Sequence, residues 1–470
     1  MPHDETDLVM RTSPLLTPAA ALLALAAGLP RPAPAQSPLA RVMHRTTLDN
    51  GLQVIVVDNS AVPLATALVA VHNGAFTQDS AEAGLAHLYE HLLFHSFRGN
   101  PAAFATETFR LNGVYNGTTS AEVVTYFVVV PSKNIESGIR LLADLLRKAR
   151  FSNSDLKNER PVVLDELQRG ESDPEQELER QVERKLWGPA WHRKDVGGDS
   201  ASIQAISLDR LKATYARYYV PNNAALIVTG DVTQERIVQA AQRHFGEWQA
   251  GPDPFADQPI PPIPPRTGTA AVLLARDVLD VTIVIALHGP SVGVDPGATY
   301  AADVLFDVFN DPGSAFQRRL VDGGPFRSIS GHYLTLDHTG PIQIQGKTTP
   351  QRAQEAVLAL LAELDNLDQL EGVTDDDLGI AKKRRQVGTA LMLERTASLA
   401  PNLAFWWSAA GMEYYLSYHD RMAAQTADDL RRFARTYVVE QPRVIGVLGA
   451  PRVVDHLATW LRQGGRRPSP

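Results

Sequence analysis

The chain has 470 residues and no cysteine, which limits the chemistry available to it. Disulfide bonds, thiolate zinc sites and cysteine nucleophiles are all excluded, and so is a lipid anchor attached to cysteine. A metal ion, if one binds, must therefore be held by histidine, aspartate or glutamate side chains.

An excess of positive charge and long apolar runs are also missing. The formal net charge is -8, so the composition gives no reason to expect nucleic acid or an anionic membrane as a partner. Beyond the first 35 residues, no segment has the run of about 18 apolar residues that crosses a bilayer. With 44% apolar and 21% charged residues, the composition is ordinary for a globular protein. We expect no nucleic-acid partner and no integral membrane segment.

The first 35 residues have the pattern of an export signal. Arg11 precedes an apolar run over residues 15–29, and Ala33-Pro34-Ala35 offers a small-x-small cleavage site. Acidic residues at the very start do not suit the positive beginning of such a signal, and initiation at Met10 would remove that objection. A disordered Ala/Pro-rich tail is the alternative. We expect a signal peptide over residues 1–35 and an exported, periplasmic protein.

A proline-rich segment divides the chain near its middle. Residues 251–266 contain seven prolines, which rules out a helix or a central strand and favours an extended connector. We therefore predict a linker over residues 251–268 between two domains, residues 36–250 and 269–465. Strands and helices alternate in the first of these, which indicates α/β or α+β layers rather than a helix bundle.

The two halves resemble each other near both of their ends. The pattern from Ser207 to Gly230, a capped helix followed by an apolar strand, recurs 219 residues later from Thr426 to Gly449. The strand from Thr66 to His72 likewise resembles residues 282–288, 216 positions on. Agreement at two places predicts a duplication, so that the chain consists of two similar domains.

One half carries the five-residue motif His87-Leu88-Tyr89-Glu90-His91. On a helix, residues four apart share a face, so His87 and His91 point the same way and Glu90 lies beside them. This group suits a catalytic zinc site if a third protein ligand comes from another element, and the spacing is that of an inverted zinc-peptidase motif. A surface helix with two histidines is the alternative. The second half has residues 303–307 at the corresponding place, without a histidine.

The best candidates for a third ligand lie on a later helix. Glu159 and Glu166 are two helical turns apart, so both carboxylates face one side. Glu166 would complete the ligand set with His87 and His91, and Glu159 could hold a ligating histidine in the correct tautomer. A solvated acidic helix face is equally consistent with these two positions. At 100° per residue, His95 lies about 80° around the helix from His87, away from the face that the two motif histidines share. We expect a surface or supporting role for it.

Together these residues resemble the insulinase/pitrilysin metallopeptidases, and in particular the short bacterial and mitochondrial-processing-peptidase-like members. The resemblance extends from residue 48 to the end of the chain. It rests on four segments: Gly84 to His91, Asn116 to Ser120, Glu159 to Glu166 and Tyr219 to Asn223. It implies that His87, His91 and Glu166 bind one zinc ion, that Glu90 is the general base and that Glu159 supports the ligands.

The same resemblance implies a fold and a substrate. The expected fold class is α+β, with two similar α/β domains, each a mostly antiparallel sheet with helices, forming a clam-like chamber. A strand edge at Asn116 and Gly117 would hold an extended peptide through backbone hydrogen bonds. Gly117 stands where the family usually has alanine, and a plain Asn-Gly turn is the alternative. The expected function is zinc-dependent endopeptidase hydrolysis of short or unfolded peptides, with Glu90 taking a proton from the attacking water.

The chain departs from the family in its second half. Family members carry an arginine and a tyrosine there that help to hold the substrate, but Val321 stands at the arginine position, and Phe326 or Arg327 at the tyrosine position. Arg318 or Arg319 could replace the arginine only through a shifted register. Some family members divide the work between a zinc-bearing subunit and a homologous partner that supplies the Arg/Tyr pair. We therefore predict the catalytic subunit of a two-subunit enzyme, with a non-catalytic peptide-binding scaffold as the alternative.

Overall fold

The computed structural model describes residues 38–393 and 396–462. The expected signal peptide lies outside these residues. Within them, no helix combines the length and apolarity needed to cross a membrane.

The described residues form two sheets surrounded by helices. The strands are Met43–Thr47 (β1), Gln53–Asp58 (β2), Leu64–Val71 (β3), Val114–Thr119 (β4), Val124–Pro131 (β5), Ala224–Gly230 (β6), Ala270–Ala275 (β7), Val281–His288 (β8), Phe326–Tyr333 (β9), Pro341–Thr348 (β10) and Val444–Gly449 (β11). The helices are Pro38–Val42 (α1), Leu85–His95 (α2), Ala103–Arg110 (α3), Ile135–Arg147 (α4), Asn153–Glu171 (α5), Pro174–Trp187 (α6), Ser200–Ala205 (α7), Leu208–Tyr218 (α8), Gln234–Phe245 (α9), Pro296–Phe309 (α10), Ala315–Gln317 (α11), Ala353–Asp365 (α12), Asp375–Leu393 (α13), Thr396–Ala409 (α14), Gly411–Ala423 (α15), Ala427–Tyr437 (α16) and Pro451–Arg462 (α17).

The first sheet has the strand order β1-β2-β6-β3-β5-β4. Neighbouring strands are antiparallel except β2 and β6, which run parallel. The hairpin between β1 and β2 turns at Gly51, whose φ of +87° lies in the left-handed region that favours glycine. All residues of the central strand β3 after its first are buried, because both faces of the sheet are covered. Strand β4 is left at the edge.

The second sheet repeats this arrangement in the order β7-β11-β8-β10-β9. Its single parallel pair, β7 with β11, matches the parallel pair β2 and β6 of the first sheet, and the other neighbours are antiparallel. The predicted duplication and the α+β fold class are therefore confirmed. The N-caps predicted at Ser207 and Thr426 are also present, since each hydroxyl accepts a hydrogen bond from the third residue of its helix.

Each half also contributes one helix to the sheet of the other half. Helix α6 belongs to the first half in sequence, yet its apolar face packs on the second sheet through Leu178 and Val182. Gly446 on β11 permits this close approach, because a Cβ there would lie 2.4 Å from Val182 Cγ2. Helix α14 does the converse, burying Leu403 and Trp407 against the first sheet. The two halves therefore share one compact unit.

The connection between the halves is irregular. Residues 246–269, which include the proline-rich segment, contain neither helix nor strand. Side chains of the first half hold this segment in place, since Arg217 Nε donates to the carbonyl of Pro254 at 3.0 Å. The domain boundaries placed at the ends of residues 251–268 stay a prediction.

Candidate metal centre

Helix α2 is fixed with one face in the core and the other towards α5. Leu88, Tyr89 and Leu92 are fully buried in the first core. His87 and His91 lie on the opposite face, where their side chains are partly exposed. The apolar spacing that predicted the helix thus also directs both imidazoles out of the core.

The two imidazoles converge on one carboxylate oxygen of α5. The distance from His87 Nε2 to Glu166 Oε2 is 3.6 Å, and that from His91 Nε2 to the same oxygen is 3.5 Å. Among the described residues, His87, His91 and Glu166 form a group with the composition and spacing to hold a metal ion, with one atom of each within 4.8 Å of the others. Ligand atoms around a tetrahedral zinc ion stand about 3.4 Å apart. The donor set therefore fits a zinc ion. Two neutral imidazoles and one carboxylate would occupy three of its four coordination positions and leave the fourth open.

Glu159, the expected supporting carboxylate, lies behind His91. Its Oε2 is 3.4 Å from His91 Nδ1, on the side of the ring away from Glu166. A carboxylate in that position favours a proton on Nδ1 and leaves Nε2 free to bind metal. His87 lacks such support, since its Nδ1 is buried without a hydrogen-bond partner in the described part of the chain.

The two histidines have different electrostatic surroundings. Burial lowers the pKa of His87, which the neighbouring His91 lowers further, so the neutral imidazole that a metal requires is favoured. Burial also lowers the pKa of His91, but the carboxylates of Glu159, Glu166 and Glu90 outweigh that effect and raise it above its ordinary value. A metal ion at this position therefore competes with a proton, to which His91 has a higher affinity than an ordinary imidazole.

Glu90 is held by a residue that was not predicted as part of the site. Thr119 Oγ1 on the edge strand β4 donates a hydrogen bond to Glu90 Oε2 at 2.6 Å. Burial raises the pKa of the Glu90 carboxyl, and the bond from Thr119 opposes that effect. The segment from Asn116 to Ser120 was part of the family resemblance, but only the fold shows that Thr119 reaches the carboxylate.

Gly117 provides the space in which the Glu90 carboxylate lies. A Cβ at residue 117 would lie 2.8 Å from Glu90 Oε1 and 2.9 Å from Phe94 Cε2, so any larger residue would require these side chains to move. Gly117 and Asn116 lie within strand β4 and not in a turn. Asn116 lines a cavity of about 510 Å³ together with the motif histidines.

A larger cavity adjoins the centre on the side of α6. Its volume is about 970 Å³, and His87 and Glu166 are among the residues that line it. Arg276 enters from the second half and pairs with Glu177, with Nη2 2.6 Å from Oε2. Both halves of the chain therefore contribute side chains to the space beside the centre.

Neither arginine considered as a replacement for the family's substrate arginine lines these two cavities. Arg319 pairs with Glu363, with Nε 2.9 Å from Oε2, and also donates to the carbonyl of Glu371 at 3.0 Å. Arg318 donates to the carbonyl of Gly313. Both guanidinium groups are thus engaged within the second half.

Two protein-family descriptions match the chain. Residues 53–196 match the insulinase family, peptidase family M16, and residues 205–385 match the peptidase M16 inactive domain. The chain belongs to the insulinase family of peptidases. The first match covers all residues of the metal centre, and the second runs from residue 205 in the first half to residue 385 in the half that lacks the motif histidines. The family assignment made from the motifs is therefore confirmed.

Relatives in this insulinase family include proteins named as zinc proteases. An uncharacterized zinc protease of Mycobacterium tuberculosis is 26% identical over 380 residues, which cover 79% of this chain and 84% of the relative. The mitochondrial-processing peptidase subunit beta of Blastocladiella emersonii is 23% identical over 437 residues, covering 86% and 88%. These relatives support a zinc metallopeptidase of the insulinase family.

Solved structures show the same fold. A protease from Helicobacter pylori has a TM-score of 0.76 and 22% identity, covering 87% of this chain and 99% of that one. A peptidase M16 inactive domain from Pseudomonas fluorescens has a TM-score of 0.75 and 17% identity, covering 87% and 98%. At this level of identity the likeness concerns the architecture of two sheet-and-helix domains.

Proposed function

We propose that this chain is a zinc-dependent endopeptidase that hydrolyses short or unfolded peptides. The observation that carries the proposal is the convergence of His87 Nε2 and His91 Nε2 on Glu166 Oε2. A separate carboxylate, Glu90, lies on the same helix face and is held by Thr119. Three ligands and an independent base are the minimum set for metal-assisted hydrolysis of a peptide bond.

Each residue has a distinct task in this proposal. His87, His91 and Glu166 hold one zinc ion, which when bound supplies a Lewis acid that activates water near neutral pH. Glu159 orients His91 through Nδ1. Glu90 accepts a proton from the attacking water and delivers it to the leaving amine, and its buried position favours both transfers because burial raises its pKa towards neutrality.

The substrate is proposed to lie along the edge strand. Strand β4 pairs with β5 on one side only, so its other edge has backbone groups available to an added strand. Asn116 and Gly117 are the residues of that edge beside the centre, and Asn116 lines the adjoining cavity. An extended peptide fits such an edge, whereas a folded domain does not fit cavities of about 510 and 970 Å³. Short or unfolded peptides are therefore the proposed substrate class.

We further propose that the chain works as the catalytic member of a pair with a homologous subunit. The pairing of Arg319 with Glu363, and the bond from Arg318 to Gly313, leave neither arginine free to grip a peptide beside the centre. A partner of the same fold would supply the missing arginine and tyrosine. The apolar segment and small-x-small site within residues 1–35 support an exported, periplasmic enzyme.

Zinc content and peptide cleavage test the proposal together. We expect one zinc ion per purified chain and cleavage of a fluorogenic quenched peptide, with strong dependence on the partner. His87→Ala should lose both zinc and cleavage. Stoichiometric zinc without cleavage, even with the homologous partner present, would instead support the non-catalytic scaffold. Full activity of the chain alone would refute the need for a partner.

A further inference from the structure

His95 lies between two carboxylates of helix α5. Its Nδ1 is 3.3 Å from Asp155 Oδ1, and its Nε2 is 3.5 Å from Glu159 Oε1. The three side chains are only 13–16% exposed. Both ring nitrogens therefore face carboxylate oxygens at ion-pair distance. The buried Nδ1 makes no hydrogen bond within the described part of the chain, so its contact with Asp155 is electrostatic. A histidine on a solvated surface would not be enclosed in this way.

Asp155 is fixed by the start of the helix. Its Oδ2 accepts hydrogen bonds from the backbone N–H of Ser152 at 2.8 Å and from the Ser152 hydroxyl at 2.7 Å, which completes a capping box. With one oxygen held by the cap, the other oxygen faces His95. The first turn of α5 therefore fixes the position of a carboxylate oxygen beside the imidazole.

Glu159 connects this anchored histidine to the metal centre. Oε1 faces His95 Nε2, and Oε2 lies 3.4 Å from His91 Nδ1. A carboxylate with both oxygens engaged cannot rotate about its terminal bond without losing a partner. Removing His95 would leave Oε1 without that restraint, and Oε2 would no longer be held towards His91.

We propose that Asp155 and His95 are positioning residues that act through Glu159 to orient His91, and that they thereby set the zinc affinity of the centre. The series runs from the helix cap through Asp155, His95 and Glu159 to the ligand His91. The inference rests on the proposed function in one respect, since it requires that His91 binds zinc. It adds two residues that the ligand set and the general base do not include.

The test measures the zinc dissociation constant of the full chain by competition with a chromophoric chelator. Loss of an outer-shell partner typically weakens metal binding about 10- to 100-fold. We expect Glu159→Gln to lie in that range, His95→Gln to weaken binding about 10-fold, and Asp155→Asn to weaken it less. Asn can still accept the cap hydrogen bonds at residue 155, so this variant tests the carboxylate without removing the helix start.

The double variant His95→Gln/Glu159→Gln decides whether His95 acts through Glu159. If it does, adding His95→Gln to Glu159→Gln causes no further loss of zinc affinity. Affinities equal to the parent for both His95→Gln and Asp155→Asn, or losses that multiply in the double variant, would overturn the inference. His44→Gln, at an exposed position on β1, is the matched control and should bind zinc like the parent. Failure of the parent itself to bind zinc would instead overturn the proposed function.

Folding is followed separately by the unfolding temperature of the metal-free variants. A structural defect lowers the unfolding temperature. A pure positioning effect lowers the zinc affinity and leaves the unfolding temperature unchanged. If His95→Gln does not fold, Asp155→Asn carries the test alone: weakened zinc binding supports the inference, and unchanged binding overturns it.

Discussion

The metal centre of the first half has a counterpart in the second half that is built from opposite charges. Asp303 and Asp307 on α10 stand 216 residues after His87 and His91, and Arg385 on α13 stands 219 residues after Glu166. Helices α10 and α13, which correspond to α2 and α5, therefore carry two carboxylates and a guanidinium in place of two imidazoles and a carboxylate.

The counterpart is a closed ion-pair cluster. Arg385 contacts Asp307 twice, with Nε 2.6 Å from Oδ2 and Nη2 2.7 Å from Oδ1. The Tyr418 hydroxyl donates to Asp303 Oδ2 at 2.5 Å. Burial raises the pKa of Asp303 and the guanidinium opposes that shift, while the carboxylates raise the pKa of Arg385. The cluster thus contains its own cation.

The difference shows what makes one copy a binding site. In the first half, the side chain of Glu166 is 39% exposed, and the donors of His87 and His91 face a cavity. In the second half, Asp303 is buried and its acceptors are already used. An open set of donors can take a cation from solution. A set that is paired internally has no free donors, and removal of its cation destabilises the fold. The following predictions test this contrast, beginning with the largest effect.

Glu90→Gln should abolish chemistry at the first centre without removing metal. The amide keeps the shape and can still accept a hydrogen bond from Thr119, but it cannot accept a proton from water. We expect the turnover number to fall about 10²- to 10⁴-fold while zinc per chain stays at the parent value, measured by peptide cleavage and elemental analysis. Normal cleavage by this variant would exclude Glu90 as the base.

Arg385→Met should destabilise the fold without altering zinc content. The substitution leaves the buried Asp303 and the partly exposed Asp307 without their cation, and we expect the free energy of unfolding to fall by about 3 kcal/mol. Denaturant unfolding of the metal-free chain measures it. Arg384→Met is the matched control, because the neighbouring Arg384 is 58% exposed and, within the described residues, pairs with Asp311. Its effect should stay below about 1 kcal/mol.

If Arg384→Met destabilised the fold as much as Arg385→Met or more, the ion-pair cluster of the second half would not have the structural role described above. Loss of zinc from Arg385→Met at full stability would show that the second cluster communicates with the metal centre, which the separate helix pairs do not suggest.

Thr119→Val tests how far the first centre depends on a side chain outside the motif. Removing the donor to Glu90 loses a hydrogen bond to a charged group, which is worth about 1.5–3 kcal/mol. We therefore expect turnover to fall roughly 10- to 100-fold, with little change in zinc affinity. Thr118→Val is the control, since the Thr118 hydroxyl bonds to Thr125 at 2.7 Å and not to Glu90. Equal losses in both variants would point to damage of strand β4 itself.

Much of the fold was predictable because it depends on local patterns. The apolar spacing around His87 and His91 predicted a helix with both imidazoles on one face, and the spacing of Glu159 and Glu166 predicted a second helix with its carboxylates on one side. The repeat from Ser207 to Gly230 predicted the duplicated sheet. These features depend on periodicity and capping, which residues near in sequence determine.

Other features depend on how elements meet in space, and no local pattern reports that. The apolar faces of α6 and α14 show that each helix is buried, but not that each covers the sheet of the other half. Thr119 reaches Glu90 only because β4 lies beside α2. The placement of His95 between Asp155 and Glu159 likewise depends on the angle between α2 and α5. From the sequence, its position on the helix predicted only that it has a surface or supporting role.

Glu183 provides the smallest test, because it is a partly buried carboxyl in the first half, and no guanidinium group of the described residues is paired with it. It lines the larger cavity, and burial, together with the nearby Glu179 and Asp195, raises its pKa from 4.5 to about 7, against the opposing charge of Lys194. The folded state therefore holds a proton that the unfolded chain releases. Stability should fall as the pH rises from about 4.5 to 7 and then level off.

Glu183→Gln removes this titration. Below pH 4.5 the variant and the parent should have similar free energies of unfolding, and above pH 7 the variant should be more stable by about 1–2 kcal/mol, a value reduced for the partial exposure of the side chain. Urea unfolding at pH 4.5, 6 and 8 measures the difference, with the exposed Glu235→Gln as control. A variant that is less stable than the parent at pH 8 would show that the carboxylate gains a cation after all, as Asp307 does from Arg385.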